Sequence, residues 1–172
     1  MQVRPTSDRL RETLFNVIAP RIQEARFLDL CAGSGAVGVE ALSRGAAYST
    51  FVDRSRKMCG LIEANLDLCQ IPEEQTEVVQ AEALDFLKRS VARKFEPWDT
   101  VFYDPPYATN YADVLTLIGS HPTDLLQKNG LVIVEHHHKN NLSDSFGSII
   151  RTRILKQGDS ALSFYKQLES ED

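Results

Sequence analysis

A glycine-rich turn lies directly between a strand-like run and a helical pattern near the start of the chain, and few folds accommodate that order. Arg26-Phe27-Leu28-Asp29-Leu30 reads as a strand, Cys31-Ala32-Gly33-Ser34-Gly35 as the turn, and Val37 through Leu42 as a helix that Gly45 stops. The spacing Gly33-x-Gly35-x-x-Gly38 lets the backbone approach a ligand with no Cβ in the way. Strand, glycine turn and helix are the first half of a βαβ unit, which commits the chain to a parallel sheet covered by helices.

The rest of the sequence continues the alternation. Ser7 or Asp8 can cap a first helix that places Leu10, Leu14, Phe15 and Ile18 on one face and ends before Pro20. Strands are expected over 48–52, 77–80, 100–103 and 131–135, and helices over about 56–68, 84–91 and 112–118. The segments 149–155 and 161–167, joined across Gly158-Asp159, read as an antiparallel hairpin closing one edge of the sheet. The expected fold is therefore α/β and Rossmann-like. Its seven-stranded, mostly parallel sheet ends in an antiparallel hairpin, as the class I S-adenosylmethionine-dependent methyltransferase sheet does.

At 172 residues and 42% hydrophobic composition, the chain has material for one complete core. No run approaches the roughly 20 apolar residues that a membrane helix needs. Met1-Gln2-Val3-Arg4-Pro5 has neither the apolar stretch of a signal peptide nor the character of a transit peptide, so a cytoplasmic protein without membrane partner is expected. Cys31, Cys59 and Cys69 are odd in number and never spaced as CxxC, which argues against disulfides and zinc. The net charge of −5 is unusual for a chain that meets nucleic acid. Basic residues do gather locally, at Arg4, Arg9 and Arg11 and again at Lys88, Arg89, Arg93 and Lys94.

Asp53 ends the second strand about 20 residues beyond the glycine turn, where a carboxylate can accept hydrogen bonds from both hydroxyls of a ribose. Capping the next helix over Ser55–Lys57 is a compatible role. Arg54 shares that strand end. Glu82, after the third strand, can accept from an adenine amino group, and Ala83 can lend its backbone N–H to the ring. These features alone do not separate a nicotinamide dinucleotide from S-adenosylmethionine. Asp29, four residues before Gly33, leans toward the second, because an acid there suits a cationic methionine end and would repel a pyrophosphate.

Asp104-Pro105-Pro106-Tyr107 follows the apolar run Thr100-Val101-Phe102-Tyr103. An exocyclic amino nitrogen of a base is a poor nucleophile, because its lone pair is delocalised into the ring. Two acceptors for its protons, the Asp104 carboxylate and the Pro105 carbonyl, would localise the lone pair as positive charge develops. The prolines fix the direction of that carbonyl, and Tyr107 can stack on the base. The tetrapeptide thus points to methyl transfer onto an amino nitrogen, with the base left open. His136-His137-His138 suggests a metal at first sight, but three adjacent residues cannot all face one ion. A surface run at a strand end is expected, and no metal.

With both motifs in view, the chain resembles the RsmD family, bacterial methyltransferases that act on guanine N2 of 16S ribosomal RNA. The likeness runs from Arg4 to about Lys166. It is carried by the stretch from Arg4-Pro5-Thr6 through Asn16, by Phe27 through Ala46, and by Asp104-Pro105-Pro106-Tyr107. The resemblance implies one domain over 1–172, with a cofactor-covering helix segment over 1–20 and a Rossmann-like core over 26–172. It also implies S-adenosylmethionine as cofactor, S-adenosylhomocysteine as product, and a monomer acting on 16S rRNA or the small ribosomal subunit. Arg4, Pro5 and Thr6 would then lie over the methionine end of the cofactor. Arg9 and Arg11 become candidates to touch RNA, against the simpler reading of solvated helix-face charges. Family members usually carry a further basic, strand-like stretch where only Met1-Gln2-Val3 precede here, a difference that bears on RNA affinity. Cys31 stands where phenylalanine is commoner, and Asp53 where glutamate is. Two alternatives share these motifs: an N6-adenine methyltransferase on RNA or DNA, and a non-catalytic RNA-binding assembly factor that keeps the cofactor pocket.

Overall fold

The structure, a computed structural model, describes residues 7–106 and 109–168. The chain divides into two compact units, Met1–Ala83 and Leu84–Asp172.

The first unit holds α1 (Asp8–Ile18), β1 (Arg26–Leu30), α2 (Ala36–Ser43), β2 (Tyr48–Asp53), α3 (Arg56–Leu68) and β3 (Thr76–Gln80). Ser7 caps α1 by accepting the Leu10 N–H at 3.1 Å, and Leu10, Leu14, Phe15 and Ile18 are its buried face, as the spacing predicts. The three strands are parallel in the order β3-β2-β1, with Leu30 opposite Val52 and Asp53 opposite Gln80. α1 meets β1 through stacked Phe15 and Phe27 rings, 6.4 Å between centroids. Glu40 on α2 receives Arg11 and Arg44 at 2.9 Å each, and the Arg44 guanidinium lies over the Phe15 ring. Gly38 is what lets α2 lie close against β2: a Cβ there would fall 2.4 Å from Phe51 Cε1.

The second unit begins within α4 (Ala83–Ala92) and continues with β4 (Trp98–Tyr103), α5 (Tyr111–Ser120), the single-turn α6 (Pro122–Leu125) and β5 (Leu126–His137). β6 (Ser145–Phe146), β7 (Ile149–Gln157) and β8 (Ser160–Gln167) complete it, in the strand order β4-β5-β8-β7-β6. β4 and β5 are parallel, with Tyr103 opposite Val134, and β5, β8, β7 and β6 pair antiparallel. The expected hairpin is β7–β8, closed by the two-residue turn Gly158-Asp159 with Gly158 at φ +60°. Tyr165 on β8 donates to the Ser143 carbonyl at 2.7 Å, and burial pushes its phenol up to about 12.

All the strands expected from the sequence are present, but among the described residues there are eight rather than seven. The additional strand, β6, has only two residues, too few to show an alternation. It exists because Ser145 and Phe146 pair with Ile150 and Ile149 and because α5 supports them. Gly119 of α5 allows this contact: a Cβ there would sit 1.8 Å from the Phe146 carbonyl oxygen.

Candidate functional site

Within the first unit, the residues expected to hold a nucleoside collect along the carboxyl ends of β1, β2 and β3, where open α/β sheets bind ligands. Cys31 and Gly33 adopt left-handed backbone (φ +66° and +57°), and Gly35 at φ +80° is the N-cap of α2. Two side chains pin this turn. Asp53 Oδ2 accepts the Gly33 N–H at 2.9 Å, and Asn65 Nδ2 donates to the Ser34 carbonyl at 3.0 Å. Asp53 Oδ1 accepts the Ser55 N–H at 2.9 Å, so one carboxylate ties the glycine turn to the start of α3. The cap of α3 is Ser55, whose hydroxyl accepts the Met58 N–H; Asp53 acts one step earlier, by orienting Ser55.

Asp29 is enclosed, with 1% of its surface exposed, and its Oδ2 accepts the Gly38 N–H at 3.0 Å. Burial pushes its carboxyl up to about 7; the Gly38 hydrogen bond works against the rise and the Asp53 charge adds to it. Cys31, Ala32, Gly33 and Ser34 are partly exposed and Gly35 is buried, while Arg54 and Glu82 are exposed and Ala83 is half-buried at the start of α4. Arg9 is exposed on α1, whereas Arg11 is engaged with Glu40 and, at 3.2 Å, with Asp8. Arg4, Pro5, Thr6 and Tyr107 lie outside the described residues.

Within the second unit, β4 delivers Asp104 from its carboxyl end. Residues 104–106 leave the strand without entering a helix, as two prolines require. Asp104 is partly exposed, Pro105 is buried, and the Pro106 carbonyl accepts the Thr109 N–H at 2.9 Å. Asn110 then caps α5 by accepting the Ala112 N–H. The chain before Asp104 is held rigidly: Tyr103 is 1% exposed and packs edge-on against Tyr111, which in turn packs edge-on against His136.

The expected surface run holds for only two of the three consecutive histidines, because strand alternation turns His136 into the interior. His136 is buried, its Nε2 2.7 Å from Ser163 Oγ and its Nδ1 2.9 Å from the His137 carbonyl. Burial lowers its imidazole from the ordinary range. His137 and His138 instead stack on each other, with ring centroids 4.7 Å apart and planes at 26°. Asp159, in the β7–β8 turn, brings a carboxylate near them, and one ligand atom from each of the three lies within 4.8 Å of the others. The sequence did not reveal this grouping, because it depends on the register that sets His137 opposite Ser160.

Comparison with known proteins agrees with this architecture. The family model described as Conserved hypothetical protein 95 matches residues 1–166. "Ribosomal RNA small subunit methyltransferase D" of Haemophilus influenzae is 39% identical over 134 residues, which span 77% of this chain and 67% of that protein. The chain belongs to the RsmD family. "Putative rRNA methyltransferase YlbH" of Bacillus subtilis is 33% identical over 165 residues, 95% of this chain and 88% of that protein. Among solved structures, "Putative methyltransferase yhhF" from Escherichia coli superposes with a TM-score of 0.82 at 35% identity, covering 96% of this chain and 88% of that one. The fold of this RsmD-family member is thus the Rossmann-like methyltransferase fold, with its parallel strands and antiparallel hairpin.

Proposed function

We propose that this protein transfers a methyl group from S-adenosylmethionine to the N2 amino group of a guanosine in 16S rRNA, on the small ribosomal subunit or its assembly intermediate. The observation that carries the proposal is Asp104-Pro105-Pro106 at the carboxyl end of β4 in an RsmD-family chain, whose relatives are named as small-subunit rRNA methyltransferases.

The donor set of the first unit fits the cofactor. The Asp53 carboxylate fixed beside the turn suits a ribose diol, and the acid at Asp29 would disfavour a pyrophosphate. When bound, S-adenosylmethionine supplies an electrophilic methyl group on a cationic sulfur and leaves as S-adenosylhomocysteine. Asp53, held by its bonds to Gly33 and Ser55, would accept the ribose hydroxyls. Glu82 accepts from the adenine amino group and the Ala83 N–H meets the ring. Cys31 through Gly35 line the turn, with Arg54 at its border. Asp29 would face the cationic methionine end, and Arg4, Pro5 and Thr6 would be the residues that cover it.

Asp104 and the Pro105 carbonyl accept the two protons of the guanine amino group and localise its lone pair. Pro106 holds the turn, and Tyr107 stacks on the base, an interaction of about 1–3 kcal/mol. The nitrogen gains the methyl and releases one proton along its hydrogen bond to Asp104. Placement in line with the breaking carbon–sulfur bond supplies much of the remaining rate. The chain acts as a single methyltransferase domain over 1–172, in a cytoplasmic monomer that needs no metal. Arg9 offers a contact for RNA phosphate, whereas Arg11 is engaged by Glu40.

Asp104→Ala tests the assignment. Turnover should fall by at least about a hundredfold, the usual effect of losing such a transition-state acceptor, while the affinity for S-adenosylhomocysteine stays at the wild-type value. Methylation persisting at the wild-type rate contradicts the role of Asp104.

A further inference from the structure

We infer that the stacked pair His137–His138, with Lys139 and Asp159 at its border, is the subsite for the nucleotide adjoining the target guanosine. This rests on the methyltransferase reading above and deepens it.

The placement comes from strand register. Tyr103 of β4 lies opposite Val134 of β5; Asp104 leaves β4 one residue beyond this pair, and His137 ends β5 three residues beyond it. With strands about 4.8 Å apart and about 3.3 Å of rise per residue, Asp104 and His137 are separated by roughly 8 Å at their Cα atoms. Stacked bases rise by about 3.4 Å per step and an unstacked step reaches further. The neighbour of a base drawn out to Asp104 is therefore within reach of the histidines.

The chemistry fits a base. Single-stranded RNA is recognised by stacking unpaired bases on aromatic rings, histidine among them. Here two rings are already stacked, partly exposed, at 4.7 Å and 26°. They are pre-positioned: the Lys139 N–H donates to His137 Nδ1 at 3.1 Å, the Asn140 N–H to the His137 carbonyl at 3.0 Å, and the His138 N–H to the Asp159 carbonyl at 2.9 Å. The Gly158-Asp159 turn brings the exposed Asp159 carboxylate 3.9 Å from His138 Nε2, where it can accept from a base amino or imino group. Exposed Lys139 supplies a cation for the connecting phosphate.

A divalent cation suits the group less well. Ligands of a tetrahedral zinc stand about 3.4 Å apart for bonds of about 2.1 Å, closer than the 4.8 Å spread here. His137 Nδ1 already accepts a backbone N–H, which places the ring proton on Nε2 and leaves no ready lone pair for a metal.

The test compares wild type, His138→Ala, the His137→Ala/His138→Ala pair and His138→Phe in methylation of small-subunit particles. A second readout uses an RNA oligonucleotide carrying 2-aminopurine beside the modified guanosine. Both alanine variants should raise the KM for RNA about tenfold or more, with S-adenosylhomocysteine affinity intact and 2-aminopurine quenching lost. His138→Phe should restore KM and quenching. Unchanged KM and quenching in the alanine variants overturn the subsite while leaving the methyltransferase reading in place. A raised KM that phenylalanine does not rescue overturns stacking as the interaction. A wild-type protein that forms no N2-methylguanosine removes the reading itself, and the subsite with it.

Discussion

Asp29 and Asp53 are two carboxylates of one unit placed in opposite circumstances. Asp53, at a strand end, accepts a backbone N–H on each oxygen, whereas Asp29, inside the strand, is enclosed and accepts the Gly38 N–H. Between about pH 4 and about pH 7 the folded chain keeps a proton on Asp29 that the unfolded chain has released. Stability therefore falls as pH rises through that window and stays at the lower level above it. At about 1.4 kcal/mol per pH unit, this one group accounts for roughly 4 kcal/mol across the window. Asp29→Asn keeps an acceptor for the Gly38 N–H and removes the titration, so its thermal unfolding should vary less over about pH 5 to 8 than that of wild type. Equal slopes in the two proteins would clear Asp29 of the effect. At this scale the sequence was partly legible. The spacing located Asp53 at its strand end, but the depth of Asp29 depends on α2 lying flat on β2, which no local pattern announces.

At the scale of elements, the glycines of close approach carry the specificity of packing. Gly119→Ala drives a Cβ into the Phe146 carbonyl at 1.8 Å, and backbone cannot yield as a side-chain tip can. The variant should lose about 3 kcal/mol in denaturant unfolding and release β6 from α5, whereas Gly60→Ala, with nothing within 4 Å, should unfold at or above the wild-type midpoint. A Gly119→Ala protein as stable as wild type would show that this contact is not a constraint. Element identity was largely legible, because long strands and amphipathic helices each write their own period: Leu10, Leu14, Phe15 and Ile18 gave α1, and the Gly158-Asp159 turn gave the final hairpin. β6 was not legible, since two residues acquire strand geometry only from their neighbours. The pairing of His137 and His138 with Asp159 was hidden for the same reason: it follows from cross-strand register, which sequence spacing along one strand does not encode.

For the whole molecule, a net charge of −5 must be reconciled with an RNA substrate. Phosphate contacts dominate affinity for free nucleic acid and weaken steeply with salt, so a net-acidic enzyme gains from a substrate whose bound proteins share the recognition. Partly assembled small subunits should accordingly be methylated faster than protein-free 16S rRNA at equal concentration, with the gap widening as salt is raised. Equal rates on both would show that the chain's own basic positions suffice. The measurement that bears most directly on function is the identity of the methylated nucleoside. Small subunits and 16S rRNA would be incubated with radiolabelled S-adenosylmethionine, digested, and the labelled nucleosides separated. The expected product is N2-methylguanosine with wild type and none with Asp104→Ala. N6-methyladenosine, or no labelled nucleoside from a protein that still binds S-adenosylhomocysteine, would contradict the assignment.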